Sequence, residues 1–318
     1  MDGPDEKDNI SWENLIYLAD LFYASNEFHM SLLGGEPTLH PEFTEIVKYL
    51  YHRGFSLSVF TSGVMSSKRL QHAVDELGDA LDKKRLSFVC NINEPKDTPA
   101  NEAKAQEAFL DAFGSATVIS FNIYHPNFDV SFAVDLIKKY DLRRHIRVGV
   151  ANPIPGYNNE HIALHQFRPT MERLVSFVPM LEKERIDLGL DCGFTSCSFT
   201  DEEIGKLARL GSNVGSSVKF SCGAALDFGP DMQVWHCFPL ANIHRRSVYE
   251  FDSLQEIKDY FTRFNKEVRK IAPGVFDDCS SCVHMESGHC QGGCLAHIIQ
   301  NHREEFDKIV QKITQKVP

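Results

Sequence analysis

His29-Met30-Ser31-Leu32-Leu33-Gly34-Gly35-Glu36-Pro37 reads as a short β-strand running straight into a glycine turn. The flanking sequence repeats that alternation. Upstream, Ser11 is placed to cap a helix whose apolar face is Leu15, Leu18, Ala19 and Phe22. Downstream, Pro41 falls in the first turn of a helix with Phe43, Ile46, Val47 and Leu50 on one face, and Gly54 marks its stop. Phe55, Leu57 and Val59 then alternate with serines, a strand signal that ends at Thr61-Ser62-Gly63. A helix is predicted over Ser67 to Leu81, with strands near Leu86 to Asn91, Ala116 to Asn122, Ile146 to Ala151 and Ile186 to Leu190. A long helix is predicted from His161 to Glu184, bent or broken at Pro169 and Pro179. Such alternation implies an α/β fold with a parallel sheet and crossover helices, either open and doubly wound or a full or partial barrel.

After Asp191 the character changes. Thr200 to Glu203 and Ser253 to Glu256 fit capping boxes, and Phe220 to Phe238 reads as hairpin-like. A boundary near residue 191 divides the chain into 1–190 and 191–318.

Eight of the nine cysteines lie beyond that boundary. Four form Cys279-x2-Cys282-x7-Cys290-x3-Cys294, and four more make two looser pairs, Cys192-x4-Cys197 and Cys222-x14-Cys237. In a cytosolic type of chain such spacing favours metal over disulfides, and eight thiolates suffice for two four-cysteine sites. Cys90, isolated, reads as a small buried hydrophobe. Trp235 and Phe238 beside Cys237 read as packing that shields a metal site.

Composition excludes several classes. The 318 residues allow one large domain, or a large domain with a smaller appendage, and the formal charge of -11 argues against nucleic acid as a partner. No apolar run spans a bilayer, and the acidic start MDGPDEKDN is neither a signal nor a transit peptide, so the expected location is cytoplasmic.

Leu33-Gly34-Gly35-Glu36-Pro37-Thr38-Leu39-His40-Pro41 resembles the GGEP region of radical S-adenosylmethionine (SAM) enzymes, although a plain strand-to-helix turn would also use these glycines. Phe60-Thr61-Ser62-Gly63 resembles the next strand end of that family. The late cysteines resemble its SPASM or twitch extension, whose usual run is Cys-x2-Cys-x5-Cys-x3-Cys; here the middle gap is seven. The resemblance spans about Ser31 to Cys294. It implies a partial (β/α) barrel of parallel strands with the first strand missing, followed by a cysteine-rich α+β extension. Gly34, Gly35, Glu36 and Pro37 would form the SAM-contacting turn. Asn91, Asn93 and Glu94 would reach the ribose or carboxylate, with Asn122 and Asn152 at similar strand ends.

The same resemblance implies one or two auxiliary [4Fe–4S] clusters. Cys294 would join Cys222 and Cys237, while Cys279, Cys282 and Cys290 hold the other cluster. Cys192 and Cys197 would complete the sets, or a histidine such as His284, His289 or His297 would close one. Asp191, ending a strand beside Cys192, is the candidate general base on a substrate radical. The implied partners are a peptide or protein substrate and an electron donor such as a flavodoxin or ferredoxin. One departure stands out. The family's Cys-x3-Cys-x2-Cys is missing, since no cysteine precedes Cys90. A longer reading frame upstream of Met1 is expected to carry it; the alternative is a degenerate relative. A structural zinc protein is the competing class, because Cys-x2-Cys and Cys-x3-Cys also suit tetrahedral zinc.

Overall fold

A computed structural model describes residues 9–211 and 220–314; residues 1–8, the acidic start of the chain, lie outside them. The elements of the first part are α1 (Trp12–Ala24), β1 (His29–Leu32), α2 (Phe43–His52), β2 (Ser56–Thr61), α3 (Ser67–Asp82), β3 (Leu86–Asn91), α4 (Ala100–Phe113), β4 (Thr117–Ile123), α5 (Ser131–Lys139), β5 (His145–Val150), α6 (Phe167–Ser176), α7 (Val178–Glu184) and β6 (Asp187–Leu190). The six strands form one parallel sheet in chain order, β1 to β6.

Each strand places one side chain under the helices and the next on the other face. In β2 Leu57 and Val59 are buried, while Ser58 and Phe60 are half-buried; β3 follows the same alternation. The buried set joins one core with Leu50, Leu77, Phe109, Ile137 and Leu174 of the helices. Phe88 of β3, for example, packs on Phe109 and Phe113 of α4 with ring centroids 5.2 and 4.4 Å away. Parallel sheets are ordinarily covered on both faces and read as continuous apolar runs. Among the described residues helices cover one face, and the other carries Ser58, Asn91, Asn122 and Arg147.

The helix expected over His161 to Glu184 begins only at Phe167 and breaks at Phe177. Pro179 then takes the second position of α7, where a missing N–H costs nothing. Pro41 stands ahead of α2 rather than inside it. Ser11 caps α1, and its Oγ accepts from Asn14 N at 3.2 Å.

The rest comprises α8 (Asp201–Gly211), β7 (Asp227–Phe228), β8 (Gln233–Trp235), β9 (Arg246–Ser247), α9 (Leu254–Val268), α10 (Val283–Glu286), α11 (Leu295–Asn301) and α12 (Arg303–Thr314). Thr200 and Glu203 make the expected reciprocal cap at α8. At α9 only half of it forms: Ser253 caps Glu256 N, but Glu256 reaches back to Asp252 N. The hairpin β7–β8 turns at Gly229-Pro230-Asp231, and β9 adds to β8. A second core gathers Val234, Leu240, Phe261, Phe264, Ile298 and Phe306. Helix α1 joins the two cores: Leu15 and Ala19 enter the first, Leu18 the second. Its Asn14 Nδ2 donates to Pro230 O at 2.8 Å, and Phe22 meets Phe228 at 5.5 Å.

Candidate cysteine centres and the open sheet face

The eight late cysteines fall into two sets of four. Cys222 and Cys294 hydrogen-bond to each other through their side chains. Cys222 acts electrostatically on Cys192 and Cys237, and Cys192 and Cys294 act with Cys237 as well. In the second set Cys197 interacts with Cys282 and Cys290, and Cys279 interacts with Cys197, Cys282 and Cys290. All are free thiols. Each set counts four sulfurs without drawing on a histidine.

Local structure explains the gathering. Cys192 follows the end of β6, and Cys197 lies in the turn Ser196–Ser198. A bridge between Phe220 and Cys290 brings two distant loops side by side. Cys222 N donates to Gln291 Oε1 at 2.7 Å, and Asn265 of α9 donates to Cys222 O at 2.6 Å. Arg269, just past α9, donates to Pro273 O, Gly292 O and Gly293 O, clamping the loop between Cys290 and Cys294. Cys282 and Cys294 stand at the N-caps of α10 and α11.

Burial pushes the thiols of Cys192, Cys197, Cys237 and Cys279 up. Cys192 and Cys197 retain solvent contact, so screening weakens the effect there. Within the bonded pair, the hydrogen bond from Cys294, with help from Arg269, lowers Cys222, while the same bond and burial raise Cys294. Metal ligation needs thiolates. Bound iron would supply the positive charge these crowded sulfurs lack, so the donor sets fit iron–sulfur clusters.

Phe238 does not shield this region: it is 65% exposed, because the turn Phe238–Leu240 points its ring outward. Trp235 instead lies under Arg245, 4.5 Å from the ring centroid. Cys90 is fully buried in the first core, as a small hydrophobe would be.

The glycine turn sits at the end of β1. Gly34 has φ +141, a conformation that excludes side chains, and the space above Gly34 and Gly35 is open. Glu36 spends its carboxylate on the protein. Oε1 accepts from Thr38 N, Thr38 Oγ1 and Thr61 Oγ1, and Oε2 accepts from Ser62 N and Oγ. Pro37 opens the short turn Pro37–Leu39.

Asn91 at the end of β3 and Asn122 on β4 lie on the uncovered face, with Asn93 exposed just beyond β3. Asn91 pairs in register with Ser120, and the buried Asn91 Oδ1 and Ser120 Oγ have no hydrogen-bond partner. Asn152 is buried and donates to Val150 O at 2.8 Å, with its Oδ1 unpartnered. Asp191, beyond β6, is held by Arg147 Nη2 at 2.6 Å, and the Arg147 guanidinium lies 5.0 Å from the Phe60 ring. Sequence reasoning missed Arg147; its signal was a charge inside the apolar run Ile146-Arg147-Val148.

No protein-family model and no curated protein matches the sequence. Solved structures do match by shape. SuiB of Streptococcus suis bound to precursor peptide SuiA aligns with a TM-score of 0.61 at 15% identity, covering 93% of this chain and 69% of that one. The same protein bound to S-adenosylmethionine gives 0.59, also at 15% identity, covering 93% and 70%. Histidine-tagged anSMEcpe with bound AdoMet gives 0.60 at 16% identity, covering 97% and 90%. The chain has a radical SAM/SPASM-type fold: a partial barrel of parallel strands and a cysteine-rich extension.

Proposed function

We propose that this chain is an iron–sulfur protein of the radical SAM kind, acting on a peptide or protein substrate, with two auxiliary [4Fe–4S] clusters. The clusters belong to the part from residue 191 onward, and the barrel to residues 1–190. The observation that carries the reading is the division of eight thiols into Cys192, Cys222, Cys237, Cys294 and Cys197, Cys279, Cys282, Cys290.

The uncovered sheet face is the proposed site for SAM and substrate. Gly34 and Gly35 leave room there, and Asn91, Asn93 and Asn122 offer polar contacts. Glu36 shapes the turn in this reading rather than binding ligand directly. Asp191, oriented by Arg147, is the proposed proton acceptor. Structural neighbours were solved with SAM and with peptides, which supports both ligand classes. The sequence supplies no third set of three thiolates for a SAM-cleaving cluster, so hydrogen abstraction by a 5′-deoxyadenosyl radical belongs to this reading only where a Cys-x3-Cys-x2-Cys segment accompanies the chain. An external donor such as a flavodoxin or ferredoxin would deliver electrons. A cytoplasmic location is part of the proposal, since thiolate ligands suit a reducing compartment. Among the described residues no helix is long and apolar enough to cross a membrane.

Anaerobic reconstitution with iron and sulfide tests the reading. About eight irons and eight sulfides per chain are expected, with broad visible absorption that bleaches on reduction. A colourless protein holding about one or two zinc ions and no sulfide would overturn it.

A further inference from the structure

The two cysteine sets are alike in burial and unlike in charge. Each has two buried thiols, one half-buried and one exposed, the exposed ones being Cys192 and Cys197. Neutral donors reach both sets. The N–H groups of Leu240, Leu295 and Ala296 serve the first, and those of Phe276 and Gly292, with the Thr195 hydroxyl, serve the second. Neither burial nor neutral hydrogen bonding separates the two. Arg269 does. Its guanidinium is half-buried and hydrogen-bonds to Cys222. Its other bonds go to Pro273 O, Gly292 O and Gly293 O, so carbonyls fix it in place and leave its charge uncompensated. A part-buried charge is screened less than an exposed one. Elsewhere around the first set, Asp191 is offset by its partner Arg147, while Asp227 opposes Arg269 at Cys237.

The second set has the opposite surroundings. Residues 271–302 contain no lysine or arginine, and Asp277, Asp278 and Glu286 stand exposed in the segment that carries Cys279 and Cys282. Arg168 donates to Ser198 O, next to Cys197, but Glu172 and Glu203 pair with it. On the reading of these sets as iron–sulfur centres, we propose that Arg269 holds the first centre at a higher reduction potential than the second, which makes the first the electron acceptor of the pair. Reduction of a four-thiolate cluster adds one negative charge. A fixed cation beside its sulfurs stabilises that form, and carboxylates nearby destabilise it. An electron passing between the centres leaves the second, oxidised by one electron, and enters the first, reduced by one. A low-potential one-electron donor outside the chain supplies it. Cys192 sets the accepting centre next to Asp191, the partner of Arg147 on the uncovered sheet face. Arg269 acts through Cys222 and is a positioning residue, so its readout is a potential.

The full chain, reconstituted anaerobically with iron and sulfide, is titrated against electrode potential while its reduced clusters are followed by electron paramagnetic resonance. Two one-electron waves are expected. Cys222→Ser should abolish the higher wave, and Cys279→Ser the lower. Arg269→Gln should move only the higher wave down, by at least about tenfold in the reduced-to-oxidised ratio at a fixed potential, or about 59 mV for one electron. Arg269→Lys, which keeps the charge, should retain most of the parent value. Coincident waves, or loss of the lower wave in Cys222→Ser, would overturn the proposal even if Arg269→Gln fails to hold its iron. Unmoved waves in an iron-replete Arg269→Gln would overturn it too, as would equal shifts in the glutamine and lysine variants. A parent chain that takes up no iron would instead overturn the functional reading beneath it.

Discussion

Glu36 Oε1 accepts a hydrogen bond from Thr61 Oγ1 at 2.7 Å, and this contact ties the end of β1 to the end of β2. With the four other donors on the same carboxylate, it makes Glu36 the fastener of the glycine turn. Glu36→Gln would turn an amide N–H toward a donor. The expected loss is about 1–3 kcal/mol in urea unfolding. An unchanged midpoint would mean that the turn holds without this clamp.

The partition of the cysteines predicts a pattern among variants. Cys222→Ser and Cys294→Ser should each remove about four irons, and the double variant should lose no more than either single one. Pairing Cys222→Ser with Cys279→Ser should remove about eight. Iron and sulfide analysis after reconstitution reads the pattern directly. Additive losses within one set would refute the grouping.

His244 predicts a stability slope with pH. Its ring stacks on Phe264 at 5.0 Å, and Nε2 lies 2.6 Å from Tyr260 Oη. Burial lowers its pKa from 6.5 to about 4, with Arg246 adding to the effect and Glu250 opposing it. The unfolded chain therefore takes up a proton below pH 6.5 that the folded chain refuses until about 4. This contribution is complete above 6.5 and is lost as pH falls toward 4, by up to about 3 kcal/mol. In His244→Phe, urea midpoints measured between these limits should fall less steeply than in the parent.

The ion pair of Arg147 and Asp191 is about one-third exposed on each side. Asp191→Asn should therefore shift stability by less than about 1 kcal/mol in thermal unfolding. A larger loss would make the pair a tie between β5 and β6 instead of a feature of the open face.

Gly149 of β5 is small because Asn122 needs the space. A Cβ there would stand 2.5 Å from Asn122 Oδ1. Gly149→Ala should cost about 1–3 kcal/mol as Asn122 is displaced. Gly149→Ala combined with Asn122→Ala should recover most of it, as a double-mutant cycle would register.

The strands were readable because a parallel strand announces itself locally, through β-branched and aromatic residues between turn signals. The helix from 161 was misread because its apolar spacing continues upstream of Phe167, where the chain instead makes the short turn Leu164–Gln166. The glycine turn was legible as a motif, but the part played by Glu36 was not. Its partners Thr61 and Ser62 come from the next strand, and only the parallel pairing of β1 with β2 brings them within reach.

By itself the sequence determined an α/β alternation, a change of character near residue 191, and a supply of thiols sufficient for two centres. Those properties follow from local patterning and composition, which neighbouring residues fix among themselves. The resemblance gave three sulfurs of each set; tertiary structure alone decided that Cys192 joins one and Cys197 the other, and which face of the sheet is left open. Both depend on loops far apart in sequence meeting through α9 and its Arg269, and on which side of the strands the helices bury their apolar faces.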